Sequence, residues 1–210
     1  MMYFLGWALF LVFFKLYLGL RVVGRENVPE KGAFIMVSNH VSYFDPILLG
    51  TSVYRSLNFM ARDNLFKKPC FAWTMRKVHA FPVKRHGGDL GALKKSFEVL
   101  ASGKPLVIFP EGTRAKDREL KDAKPGVGFI ITKANVPVVP AYVAGSFDAL
   151  PRGLNTLRRH PVAVFIGEPI IFDKSYYGKR DKESYQKISD EIMLRIANLK
   201  DKYEPSPFYE

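Results

Sequence analysis

Six short apolar runs recur along this chain, and no other feature restricts its fold as much. They are Ala33 to Val37, Leu57 to Arg62, Val78 to Arg85, Leu106 to Phe109, Val136 to Val143 and Val162 to Ile166. Each has the length of a strand, and several are continuous rather than alternating, as in strands buried on both faces. Segments with helical spacing lie among them: Ile47 to Val53, Lys68 to Lys77, Leu90 to Leu100, Gly126 to Ala134 and Glu183 to Lys202. In the last of these, Ile188, Ile192, Ile196 and Leu199 mark one face for packing. Strands alternating with helices predict an α/β fold with a mostly parallel sheet flanked by helices. At 210 residues without a repeat or linker, a single domain is expected. The fifth run carries Pro137 and Pro140. Proline cannot donate to a ladder, so that strand is expected at an edge, or irregular, or with its prolines at its ends.

The N-terminus departs from this pattern. Met1 to Phe14 carries no charge, Lys15 interrupts, and Arg21 closes the apolar stretch. No basic residues precede it and no small-residue cleavage site follows, so it is not a secretory signal. A spanning helix needs about 20 apolar residues, which this run reaches only if Lys15 snorkels to the interface. Residues 1–20 are therefore expected to associate with a membrane, either as a helix dipping into one leaflet or as a single span. Burial inside a soluble protein is the competing reading. Residues 21–204 form the α/β domain and 205–210 a tail. Lysine and arginine number 32 against 20 acidic residues, which suits an anionic partner. A basic loop with Arg152, Arg158, Arg159 and His160 could lie on anionic lipid or simply be solvated. A single cysteine, Cys70, excludes an internal disulfide and fits a reducing compartment.

In parallel sheets, ligands bind beyond the carboxyl ends of the strands. Two such ends carry chemistry. After Val37 comes Asn39-His40-Val41-Ser42-Tyr43-Phe44-Asp45-Pro46. If Asp45 opens a helix, its carboxylate can fold back to His40, fix the tautomer and leave the other ring nitrogen to take a proton. Asp-Pro before an apolar segment is equally a helix start with Asp45 as N-cap, and one carboxylate can serve both ends. No Ser or Cys stands in a nucleophile motif, so His40 is expected to act as a general base directly on a substrate hydroxyl. After Phe109 comes Pro110-Glu111-Gly112-Thr113-Arg114, in which Glu111 could accept from a hydroxyl while Thr113 and Arg114 hold a phosphate. A surface loop with an internal Glu–Arg pair is the alternative. The turn Gly87-Gly88-Asp89 could receive a phosphate at a helix start or merely cap the helix through Asp89. The residues from Ala115 to Lys124 read as a mobile, charged loop.

Four segments together resemble the glycerophospholipid acyltransferases. NHVSYFD (Asn39 to Asp45) is similar to their His-x4-Asp motif, FPVKR (Phe81 to Arg85) to the second motif, FPEGTR (Phe109 to Arg114) to the third residue for residue, and VPVVPAYV (Val136 to Val143) to the fourth. Order and spacing agree over about residues 20 to 170. Length and the apolar N-terminus look most like the 1-acylglycerol-3-phosphate (lysophosphatidic acid) acyltransferases of bacteria. The resemblance implies His40 as base oriented by Asp45. It implies Glu111, Gly112 and Arg114 at the glycerol-phosphate, Arg85 at phosphate and Arg62 as a further cation. It implies transfer from acyl-CoA or acyl-carrier protein, with no bound cofactor or metal, at the cytoplasmic face of the cell membrane. Glycerol-3-phosphate or another lysophospholipid as acceptor, and thioester or lipid hydrolysis, are the alternatives. A non-catalytic membrane binder would make no use of His40 or Glu111. No nucleic-acid-binding motif accompanies the charge.

Overall fold

The structure, a computed structural model, describes residues 2–84, 89–151, 156–173, 176 and 178–203, and for 2–7, 70 and 71 the backbone alone. Among the described residues the strands are β1 (Arg21–Val23), β2 (Ile35–Ser38), β3 (Asn58–Arg62), β4 (Ala80–Val83), β5 (Leu106–Ile108), β6 (Val138–Ala144) and β7 (Ala163–Ile166). The helices are α1 (Met2–Leu18), α2 (Asp45–Ser52), α3 (Pro69–Lys77), α4 (Leu90–Ala101), α5 (Pro125–Ala134), α6 (Ser146–Ala149) and α7 (Lys182–Tyr203). One sheet runs β1-β7-β6-β2-β5-β3-β4, and only the β6–β7 pairing is antiparallel. The expected α/β fold with a mostly parallel sheet is present. β1 is an addition to the six runs seen in the sequence.

Residues alternate across the sheet into two apolar layers, as the period of two requires. Ile35, Val37, Leu106 and Ile108 point to the side covered by α4, α5 and α7. Phe34, Met36, Val107 and Val139 point to the side covered by α1 and α2. On the first side Ile188, Ile192 and Ile196 of α7 are fully buried, as their four-residue spacing predicts. α5 approaches α7 so closely that a Cβ on Gly128 would lie 1.9 Å from the Tyr185 carbonyl oxygen. Any larger residue there would force the helices apart. On the second side Phe14 and Leu18 anchor the carboxyl half of α1 with almost no exposure. Burying side chains of this size contributes about 1.5–3 kcal/mol each.

β6 corrects the sequence reading: it is a central strand between β7 and β2, despite Pro140 in its middle. Val138 exchanges both backbone bonds with Ile170 at 2.8 Å, and the Pro140 carbonyl accepts from Gly167 N at 2.8 Å. Backbone groups two residues apart point the same way. The missing N–H of Pro140 thus faces the stretch 167–169, where β7 has ended and no ladder acceptor is required.

The connections set up a crevice. The chain leaves β2 through α2 on one side of the sheet and leaves β5 through α5 on the other. β2 and β5 are neighbours, so their outgoing loops part at the carboxyl edge. Such a switch point is where open α/β sheets bind ligands.

Candidate active site

The turn after β2 is built around a buried carboxylate. Asp45 is fully buried at the first residue of α2. Its Oδ2 accepts from the Val41 and Ser42 backbone N–H groups, both at 2.7 Å, and lies 2.8 Å from His40 Nδ1. Its Oδ1 accepts from Ser146 Oγ at 2.5 Å. Four donors offset the cost of burying this group. The side chain caps nothing: Phe44 is the N-cap residue and no side-chain capping bond is made. The capping half of the sequence reading is thereby corrected, because every donor the carboxylate meets lies in the preceding turn or on α6.

With Nδ1–H held by a carboxylate, the His40 imidazole presents Nε2 as its basic nitrogen. Nε2 bonds to no described residue, and the side chain keeps 18% of its surface exposed. The ring stacks on Phe109, centroids 4.0 Å apart and planes at 19°. That contact removes the remaining freedom to rotate. Val41 and Ser42 are the two N–H groups directly after His40, and both are committed to Asp45. An oxyanion donor is therefore not drawn from them.

The loop after β5 is joined to this turn through the His40 backbone. His40 N–H donates to Glu111 Oε1 at 2.9 Å, and Ala115 N–H donates to the His40 carbonyl at 2.8 Å. Gly112 turns the loop at φ +69°, where Gly112 N–H closes on the Phe109 carbonyl at 3.0 Å. A side chain there would be strained and would press on Lys124, 3.2 Å from the added carbon. The Arg114 guanidinium lies 3.4 Å from the Tyr43 ring centroid, flat against a residue of the histidine turn. Thr113 is half-buried beside it. The structure thus brings His40, Asp45, Glu111, Gly112, Thr113 and Arg114 together in two joined loops at the carboxyl ends of β2 and β5. The internal Glu111–Arg114 ion pair considered from the sequence is absent from the ion pairs of the described residues.

Glu111 is 4% exposed, and its Oε2 is buried without a hydrogen-bond partner. Burial pushes its carboxyl up to about 7, while the His40 N–H works in the opposite direction. Arg62 is exposed at the carboxyl end of β3, one strand beyond β5, and makes no ion pair among the described residues. Arg85 and the pair Gly87-Gly88 lie outside the described residues, as does Arg152. Asp89 caps α4 by accepting from Ala92 N–H at 3.0 Å, the plain role considered for it.

Two residues were not assigned from the sequence. Ser146 follows β6 and holds Asp45. Asn39 clasps Val143 at both ends, accepting its N–H at 2.8 Å and donating to its carbonyl at 3.0 Å. Both lie at the carboxyl end of a strand, the position that would have flagged them.

A family model described as "Acyltransferase" matches residues 19–144, a span containing the histidine turn and the Glu111–Arg114 loop. The chain belongs to the acyltransferase family. A 1-acyl-sn-glycerol-3-phosphate acyltransferase of Bacillus subtilis is 27% identical over 187 residues, covering 89% of this chain and 90% of the relative. A chloroplastic 1-acyl-sn-glycerol-3-phosphate acyltransferase of Brassica napus is 34% identical over 73% of this chain and 46% of its own length. The chain thus spans about half the length of the plant relatives it matches. The crystal structure of the 1-acyl-sn-glycerophosphate acyltransferase PlsC from Thermotoga maritima superposes with a TM-score of 0.68 at 30% identity, over 86% of this chain and 72% of that one.

Proposed function

We propose that this acyltransferase moves a fatty acyl group from acyl-CoA or acyl-carrier protein to the free hydroxyl of 1-acylglycerol-3-phosphate, giving phosphatidic acid. The observation that carries this reading is the His40–Asp45 pair at 2.8 Å, in a turn whose Tyr43 ring is covered by the Arg114 guanidinium. Relatives bearing the 1-acyl-sn-glycerol-3-phosphate acyltransferase name support the choice of acceptor.

In the proposed step, His40 Nε2 takes the proton from the acceptor hydroxyl as that oxygen attacks the thioester carbonyl. The tetrahedral intermediate collapses, the carbon–sulfur bond breaks, and the imidazolium returns its proton to the departing thiolate. Asp45 stabilises the imidazolium and holds the tautomer. A thioester is already activated, so neither a metal nor a bound cofactor takes part. Thr113 and Arg114 hold the phosphate, and Gly112 lets the glycerol approach the backbone. An acceptor hydroxyl would satisfy the buried Oε2 of Glu111. Arg62 and Arg85 are assigned supplementary contacts to the anionic head.

The same proposal places the protein on the cytoplasmic face of the membrane as a monotopic enzyme. α1 supports it: Leu9, Phe10, Val12, Phe13, Leu16 and Tyr17 are exposed, an apolar surface without an acid. Among the described residues no helix is long and apolar enough to cross a membrane. Seventeen residues of helix span about 25 Å, short of a hydrocarbon core of about 30 Å.

The test is a turnover assay crossing lysophosphatidate, glycerol-3-phosphate and a neutral lysophospholipid with both donor types. Phosphatidate from lysophosphatidate is expected. Thioester consumption at the same rate without any acceptor would make the protein a hydrolase and overturn the reading.

A further inference from the structure

The sheet's two sides differ in charge as well as in their helices. On the side of α4, α5 and α7, those helices carry eight cations and five acids. On the side of α1, residues 2–18, 67–77 and 156–160 carry seven cations and no acid; the acids of that side include Asp63, ahead of the second stretch, and Asp148 of α6, which pairs with Arg118. α2 lies on that side too, and its only charge is the buried Asp45.

Most of these cations surround α3. Its inward side is apolar: Ala72 is buried, and Met75 packs with Phe66 on the layer that also holds Phe14 and Leu18 of α1. Its outward side presents Trp73, 54% exposed, together with exposed Arg76 and Lys77, and exposed Lys67 and Lys68 lead into the helix. The Lys77 ammonium lies 5.5 Å from the Trp73 ring centroid. A large indole left 54% exposed, with one ammonium beside it, gains little in folding. Indole rings favour the boundary between headgroups and acyl chains, and lysine and arginine beside them meet anionic headgroups.

We infer that the outer face of α3 is a second membrane contact, specific for anionic lipid, which docks the protein alongside α1. The inference rests on the membrane reading of α1 and adds to it. α1 supplies apolar insertion without charge selectivity. Trp73 reaches the interface, and Lys67, Lys68, Arg76 and Lys77 supply the selectivity. Two points of attachment on one side of the sheet fix the tilt of the domain, and so the height of the crevice above the lipid that must feed it. An acidic protein would also meet the cations, but it offers no reason for an exposed tryptophan on the side that carries the apolar surface of α1.

The chain has two tryptophans, so Trp7→Phe leaves Trp73 as the sole indole reporter. This variant is titrated with phosphatidylglycerol vesicles, with phosphatidylcholine vesicles and with vesicles brominated near the acyl carbonyl. Binding to phosphatidylglycerol with a blue shift of Trp73 emission and quenching by bromine is expected. Changing Lys67, Lys68, Arg76 and Lys77 together to Glu should weaken phosphatidylglycerol binding about a hundredfold or more, at about 1 kcal/mol per cation at an anionic surface. Turnover on detergent-dispersed substrate should stay unchanged in that variant. Vesicle binding with no change in Trp73 emission would overturn the α3 contact while leaving α1 as anchor. A Trp73 response to an acidic carrier protein but not to vesicles would also overturn it. No binding to either vesicle would end both readings.

Discussion

Asp45→Ala and Asp45→Asn should have sharply different consequences, because the Asp45 carboxylate serves the fold and the proposed chemistry at once. Alanine strands the Val41 and Ser42 amides, which donate to Oδ2 at 2.7 Å in a buried turn. A buried donor without a partner costs about 1–3 kcal/mol, so the pair costs about 2–6 kcal/mol. That is a large share of the roughly 5–15 kcal/mol that holds a domain folded. Ser146 Oγ, 2.5 Å from Oδ1, and the His40 ring lose their acceptor as well. Asparagine can satisfy all four partners. Its oxygen occupies the Oδ2 position and takes both amides and the ring N–H, while its amide group faces Ser146 Oγ, which turns from donor to acceptor. The His40 tautomer then survives and only the negative charge is lost. Stability should fall by clearly less than with alanine, because no buried donor is left without a partner. The rate should fall by roughly 10²-fold, the scale of losing one preorganised electrostatic contact, and by less than the roughly 10⁴-fold that accompanies a wrong tautomer. Urea denaturation in detergent gives the stabilities, and steady-state turnover gives the rates. Equal destabilisation by Asn and Ala, or none by Ala, would refute the assignment of donors to this carboxylate.

Other variants separate the remaining roles. Glu111 has its carboxyl raised from 4.5 to about 7 by burial, so between those values the folded state holds a proton that the unfolded state has lost. Its stabilising contribution is complete below about pH 4.5 and is lost as pH rises through 7, with a slope of up to about 1.4 kcal/mol per pH unit. Melting curves from pH 5 to 7 should show this slope for the native protein, flattening above 7, and not for Glu111→Gln; equal slopes would contradict it. Arg114→Ala removes the cation stacked on Tyr43 and should raise the acceptor Michaelis constant at least about tenfold, the scale of one charge-assisted contact, with the donor constant unchanged. An unaltered acceptor constant would remove Arg114 from the phosphate site.

Local pattern carried much of this molecule. The continuous apolar runs ending at Val37 and Phe109 became adjacent buried strands, and the five-residue step from His40 to Asp45 became a direct contact. Both follow from chemistry within a few residues. What the sequence did not disclose depends on distant partners. Ser146 meets Asp45 across 101 residues, and Glu111 meets the His40 backbone across 71. No spacing rule reaches that far, and only the order β6-β2-β5 brings those ends together. Pro140 misled because its position in a strand is visible while the end of β7 opposite it is not. Asp45 misled in part because Asp-Pro is a helix start on local grounds, and here the preceding turn takes the carboxylate instead.

His40→Ala tests the central claim most directly. The backbone bonds of residue 40 to Glu111 and Ala115 need no imidazole, so the turn and the crevice persist. Turnover of lysophosphatidate and an acyl thioester should fall by about 10²–10⁴-fold, the range for loss of a general base, while the protein still folds and melts cooperatively, at a temperature lowered by loss of the Asp45 and Phe109 contacts. Turnover close to that of the native protein would show that the imidazole does not draw the proton, and the mechanism would have to be abandoned.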